Sequence, residues 1–144
     1  MTGLEIVLLC LAGGVGAALR FVLDGTVRHH SSGSFPLGTM IINVSGSFVI
    51  GFFGTLTLAH GRYPMPETLR LFVMIGLCGG YTTFSSFSLQ TLDLLRSGAT
   101  LRALVNIVAS VVLCVAAVGL GHALAAGFNG GARQVAQIAI EEEG

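Results

Sequence analysis

The segment Gly79-Gly80-Tyr81-Thr82-Thr83-Phe84-Ser85-Ser86-Phe87 gathers most of the residues in this chain that could handle an ion. It lies within residues 71–92, which contain no Asp, Glu, Lys or Arg. Two glycines followed by two β-branched hydroxyl residues disfavour a continuous helix, so a break is expected near residues 79–83. Backbone groups released by a break in an apolar medium must be satisfied by protein, water or an ion. Freed carbonyls suit a cation; the amide N–H groups that open the next helix suit an anion. Past the break, Phe84 and Phe87 are three residues apart and share a helix face. Such a pair fits apolar packing, but the positive edges of phenyl rings can also meet a small anion. Ser85 with Ser88, and Ser86 with Gln90, form polar stripes at helical spacing.

Two more polar features sit among apolar residues. Asn43 lies in the run GTMIINVSGSFVIGFFGT. A side-chain amide there needs partners for two donors and two acceptor lone pairs, either in an interhelical hydrogen bond or along a conduction path. Asn106, Ser110 and Cys114 recur every four residues on an otherwise aliphatic stretch, where Ser110 could also bond back to its own helix. His122 is expected at an interface. Charge is nearly absent from these segments, with Arg20 and Asp93 near segment ends, which argues against a proton-coupled pump needing a carboxylate at depth. No acid, His and Ser fall at one expected depth, so an enzyme has no support. Cys10, Cys78 and Cys114 show no metal or redox spacing and are expected as buried apolar residues.

The elements that carry these residues follow from composition. The chain has 144 residues, 53% hydrophobic and only 10% charged, with a mean hydropathy of +0.84, against about 25% charged in a soluble domain. Four apolar segments, near 4–23, 37–59, 69–95 and 101–126, are each long enough to cross a bilayer. The fold class expected is an all-α membrane protein: residues 1–126 form a four-span domain and 127–144 a polar tail ending in Glu141, Glu142 and Glu143. The first segment lacks the basic start of a signal peptide and is read as a mature span. Residues 24–36 are expected as the longest loop, and Pro64 and Pro66 punctuate the second. Seven Arg balance seven acids with no Lys, which excludes a nucleic-acid binder with a basic face. Alternate sides carry Arg20, Arg28, Arg96 and Arg102 against Arg62, Arg70 and Arg133. So small a bias is either noise in a small count or the mark of a chain that inserts both ways; in the second case, antiparallel pairing of two copies would build the inverted symmetry of larger transporters.

The blocks GGVGAALRF at 13–21, PLGTMIINVSGSFVIGF at 36–52 and GLCGGYTTFSSFS at 76–88, with the small-and-polar fourth segment, make the chain resemble the Fluc (CrcB) family of small bacterial fluoride channels. The resemblance implies an antiparallel, dual-topology homodimer in the bacterial cell (inner) membrane. Two fluoride pores would run beside a central structural sodium ion that is not transported. It places Asn43, Phe84 and Phe87 in the pore and Ser110 on the polar track of the fourth helix. Arg20 matches the family's first-helix arginine, a structural position, and the backbone carbonyls of Gly79 and Thr82 would hold the sodium. Gln90 stands where many members carry Glu, and Cys114 where a serine is common. The donors expected along the path are Asn43, Thr83, Ser85, Ser86 and Ser110, suited to an ion that must replace a tight hydration shell. A competing reading is a dual-topology exporter of small organic cations, which would want a membrane-embedded carboxylate in the first helix, where Glu5 is too near the end. A non-transporting membrane subunit would explain the glycines but not the broken third segment.

Overall fold

The computed structural model describes residues 2–31, 33–59 and 61–130. The polar tail from 131 onward, with Arg133 and the three terminal glutamates, lies outside the described residues. The chain is an all-α membrane protein with four spanning helices: Gly3–His30, Leu37–Leu56, Glu67–Arg96 and Thr100–Phe128.

Helix α1 (Gly3–His30) opens with a reciprocal cap: the Thr2 N–H donates to Glu5 Oε2 at 2.7 Å, and the Glu5 N–H to the Thr2 hydroxyl at 3.3 Å. It runs seven residues past the boundary expected at Leu23, taking in Asp24 to His30, which the sequence reading places in a loop. Local bonds carry it through. Arg28 pairs with Asp24 at 2.8 Å one turn away, Thr26 donates to Val22 O at 2.8 Å, and three basic residues fill the last turn, where the helix dipole favours them. Arg20 therefore stands in the body of α1, with more than two turns of helix beyond it.

Helix α2 (Leu37–Leu56) ends three residues before the expected Ala59, because side chains satisfy its last carbonyls. The Thr57 hydroxyl donates to Phe53 O at 2.7 Å, Arg70 Nη2 to Gly54 O at 3.1 Å and Asn129 Nδ2 to Thr55 O at 2.8 Å. Asn129 also accepts the Arg62 N–H at 3.0 Å, tying the second loop to the end of the fourth span.

The third span is built in pieces: α3 (Glu67–Leu71), a π-helical stretch Phe72–Cys78, α4 (Gly79–Tyr81) and α5 (Phe84–Arg96). Gly98, with φ +79°, turns the chain into α6 (Thr100–Phe128). The span boundaries otherwise agree with the sequence reading to within two residues. The third span is the least apolar, with a window hydropathy of 1.3 against 2.3, 1.6 and 2.6 for the others.

Packing rests on backbone approach. A Cβ at Gly16 would run into the Leu77 carbonyl, and one at Gly80 into the Gly13 carbonyl, so α1 and the third span touch main chain to main chain. Likewise a Cβ at Gly121 would strike the Phe48 carbonyl where α6 crosses α2. Lipid is as apolar as Leu, so close van der Waals contact of this kind drives helix association. The outer faces carry exposed Leu, Val, Ile and Phe from α1 and α6, as lipid contact requires.

Candidate functional site

The break falls at Thr82 and Thr83, which are extended (φ −79°, ψ 159° and φ −152°, ψ 111°). It is at the far end of the 79–83 window, and the glycines are not its cause. Gly79 is helical (φ −64°, ψ −38°), and Gly80 is small in order to pack on Gly13. Hydroxyl chemistry makes the break. Thr82 closes the first half by donating both its N–H (2.9 Å) and its hydroxyl (3.0 Å) to Cys78 O. Thr83 opens the second half as the N-cap of α5, its hydroxyl accepting the Ser86 N–H at 3.1 Å.

Asn43 of α2 spans the gap. Its Nδ2 donates to Thr83 O at 3.0 Å and its Oδ1 accepts the Thr83 N–H at 2.8 Å, so one amide satisfies both backbone groups of the break residue. This uses one of its two N–H donors and leaves the second. Because the Thr83 N–H goes to Asn43, the carbonyl four residues back, on Gly79, is released from helical bonding. Thr82 O receives a long bond from Arg20 Nη1, at 3.4 Å. The carbonyls of residues 79–82 thus lose their helical partners at the end of the first half-helix, Gly79 O and Thr82 O among them, and the leading N–H groups of α5, on Phe84 and Ser85, begin the second.

These groups border an open cavity of about 450 Å³, lined among others by Asn43, Gly79, Thr82, Thr83, Phe84, Phe87 and Ser110. The structure therefore brings together seven of the ten residues singled out for a site. Of the other three, Ser85 and Ser86 reach it through the Thr83 hydroxyl (3.2 Å and 3.0 Å), and Arg20 through Thr82 O. The Phe84 and Phe87 rings are 5.3 Å apart at 51°, and Phe84 is 77% exposed within a single chain. Ser110 is buried and donates to Asn106 Oδ1 at a long 3.5 Å, not to its own backbone. A second cavity, about 780 Å³, opens at the first-loop end and holds Ser86, Gln90 and Asp93 with the Asp24–Arg28 pair. Thr83, Ser86 and Gln90 lie along one face of α5 between the two cavities, and the buried Gln90 Oε1 has no hydrogen-bond partner among the described residues.

The match to known proteins decides the family. The model of the family described as "CrcB-like protein, Camphor Resistance (CrcB)" matches residues 7–122. The chain belongs to the CrcB (Fluc) family. CrcB proteins similar to it include one from Methylobacterium radiotolerans, 62% identical over 138 residues covering 96% of both chains, named "Fluoride-specific ion channel FluC". Proteins of the same name from Gluconobacter oxydans and Methylocella silvestris are 60% and 58% identical, over 94% and 83% of this chain and 95% and 91% of theirs. With its four apolar helices, this CrcB chain is a multi-pass bacterial membrane protein.

Some features of this CrcB site have no clear mark in the sequence. Thr91 donates to Phe87 O at 2.7 Å and accepts from Asn106 Nδ2 at 2.9 Å, a buried link between α5 and α6. The available signal is two polar residues in apolar surroundings, Thr91 and Asn106, whose meeting depends on how α5 turns after the break. His122 is exposed, and its Nδ1 meets the Thr55 hydroxyl at 2.9 Å. Of the three cysteines only Cys78 is buried; Cys10 is exposed and Cys114 half-buried. Cys10 and Cys114 thus depart from the expected burial, facing lipid or the open cavity where a core was anticipated.

Proposed function

We propose that the chain is a passive fluoride-selective channel that lets fluoride leave the cytoplasm across the inner membrane and so limits its toxicity. The observation that carries this reading is the break at Thr82–Thr83. The positive end of α5, the spare Asn43 N–H and the Ser110 hydroxyl surround an uncharged cavity halfway along the third span. Fluoride is small and strongly hydrated, so a path must offer donors at close range. The chain has no Lys to hold the ion too firmly for release. The names of its relatives support the same ion. Among the described residues nothing favours the cation exporter: of the two acids at α1, Glu5 caps its first turn and Asp24, near its other end, is paired with Arg28.

The working unit in this reading is an antiparallel, dual-topology homodimer. Phe84 is too exposed in one chain to bound a pore alone. Gly79 has helical dihedrals and open space, a Cβ there meeting only Met74 O at 3.9 Å, so nothing within one chain requires a glycine. A second copy against this face accounts for both. The carbonyls of Gly79 and Thr82 from two copies would suit a structural sodium, since both are released from helical bonding and oxygen ligands match a hard cation. A sodium there would fix the two breaks against each other and take no part in transport.

The test is purified protein in liposomes, with fluoride and chloride efflux followed by electrodes. Fluoride efflux that needs no coupling ion, with chloride retained, is expected. Failure to pass fluoride, or equal passage of chloride, overturns the reading.

A further inference from the structure

The break has a mechanical cost. Across Thr82–Thr83 the helical hydrogen bonds stop, so α5, only 13 residues long, is no longer held in rotation by the helix before it. Its ring-bearing turn, Phe84 to Phe87, follows the break directly. A helix of this width turned by about 20° moves a ring about 5–6 Å from its axis by about 2 Å, so some contact must fix its azimuth. The Thr83–Asn43 clasp holds only the first residue.

Asn106 supplies that contact. It is 1% exposed and does not line the ion cavity. Its Nδ2 donates to the Thr91 hydroxyl at 2.9 Å, which donates on to Phe87 O at 2.7 Å, while its Oδ1 accepts from Ser110 at 3.5 Å. One buried amide on α6 thus joins the backbone of one ring residue to the hydroxyl of a cavity residue. Each bond in such a row polarises the next, and the surroundings offer no water to replace a lost partner. The Ser110 bond is the weakest, so its proton is the one free to turn toward an arriving anion.

We propose that Asn106 is a positioning residue for conduction: through Thr91 it sets the rotation of α5, and with it the aim of Phe84 and Phe87, while holding Ser110 ready to donate. The inference rests on the fluoride-channel reading above. It does not place Asn106 in the ion path.

The test uses the full chain in liposomes with Asn106→Leu, Thr91→Val, the double variant and Thr91→Ser, each checked for helicity and for the oligomeric state of the unsubstituted protein. Asn106→Leu and Thr91→Val should each lower fluoride flux about tenfold or more and reduce the fluoride-to-chloride flux ratio. The double variant should be no worse than the poorer single, because both remove one link. Thr91→Ser, which keeps the hydroxyl, should restore flux and ratio together. A helix contact with no bearing on the rings would alter stability and leave the flux ratio alone. Wild-type flux and ratio in folded Asn106→Leu, or losses that multiply in the double variant, would overturn the proposal. If Asn106→Leu does not fold, Thr91→Val, nearly identical in shape to Thr, decides alone. Absence of flux in the unsubstituted protein would sink the channel reading itself, an outcome distinct from flux that persists in the variants.

Discussion

Replacing Asn43 with Ala or Asp separates two contributions that one amide makes. In Asn43→Ala the Thr83 N–H and C=O both lose their partner, at 2.8 and 3.0 Å. A buried polar group left unpaired costs about 1–3 kcal/mol, so two give about 2–6 kcal/mol. The adjoining 450 Å³ cavity is open and can admit water, which puts the expected loss at the lower end, about 2–3 kcal/mol. Asn43→Asp keeps the acceptor for the Thr83 N–H but sets a carboxylate oxygen against Thr83 O, and it adds a negative charge beside the proposed anion path. At about 4 Å and an effective dielectric constant near 20, that charge opposes fluoride by about 4 kcal/mol, or about a thousandfold in rate. The assays are thermal unfolding in detergent and fluoride efflux from liposomes. Asn43→Ala should unfold at lower temperature and conduct weakly; Asn43→Asp should lose flux far beyond its loss of stability. An Asn43→Ala protein as stable as the parent would refute the clasp. A folded Asn43→Asp protein with parental flux would show that the ion does not pass this amide.

Four further outcomes are expected. Phe84→Ile and Phe87→Ile keep apolar volume at a stability cost below about 1.5 kcal/mol, yet should lose most fluoride flux in the efflux assay, because the ring edges are gone. Gly79→Val, at a position with room inside one chain, should leave helicity by circular dichroism intact while abolishing the dimer on gel filtration and the flux with it; a normal dimer would remove the support Gly79 lends to two copies. Gly80→Ala, by contrast, should destabilise the fold itself, because its methyl would meet the Gly13 carbonyl, and a drop in unfolding temperature checks this. Three lysines added to the first or the second loop should send a C-terminal reporter to opposite sides, with the unaltered chain giving a mixture.

The four spans are legible in the sequence because a charge-poor apolar segment longer than about 18 residues fits little besides a bilayer crossing. The ends of α1 and α2 are not, because side-chain bonds decide them: Asp24 with Arg28 extends one helix, and Thr57, Arg70 and Asn129 stop the other. Composition announces the third-span break and offers two causes, the glycine pair and the threonine pair, of which only the second acts. Gly79-Gly80 stand out as poor helix formers, whereas glycine stays helical where a neighbouring backbone lies against it, and the hydroxyls of Thr82 and Thr83 interrupt the helix. The π-helical stretch before the break leaves no recognisable pattern. The Asn43 alternatives, packing or conduction, do not exclude each other, since an amide with two donors can hold Thr83 and still face the cavity. The Asn106–Thr91 link needs the rotation of α5, which spacing along the chain does not supply across a break.

The low hydropathy of the third span bears on how the protein is made. A segment with a window value of 1.3 and a gap in its hydrogen bonds partitions into lipid less readily than its neighbours. The first two spans leave the ribosome before it and can be in the bilayer when it arrives. They hold what it lacks: Gly13 and Gly16 offer a surface without side chains, and Asn43 brings the two hydrogen bonds that Thr83 cannot find in hydrocarbon. Insertion of the third span is in that sense templated, with the N-terminal helices acting as a chaperone in cis. Substitutions on α1 and α2 that touch no ion should therefore appear in cells as failed biogenesis, with the third span stranded outside the membrane and open to proteolysis.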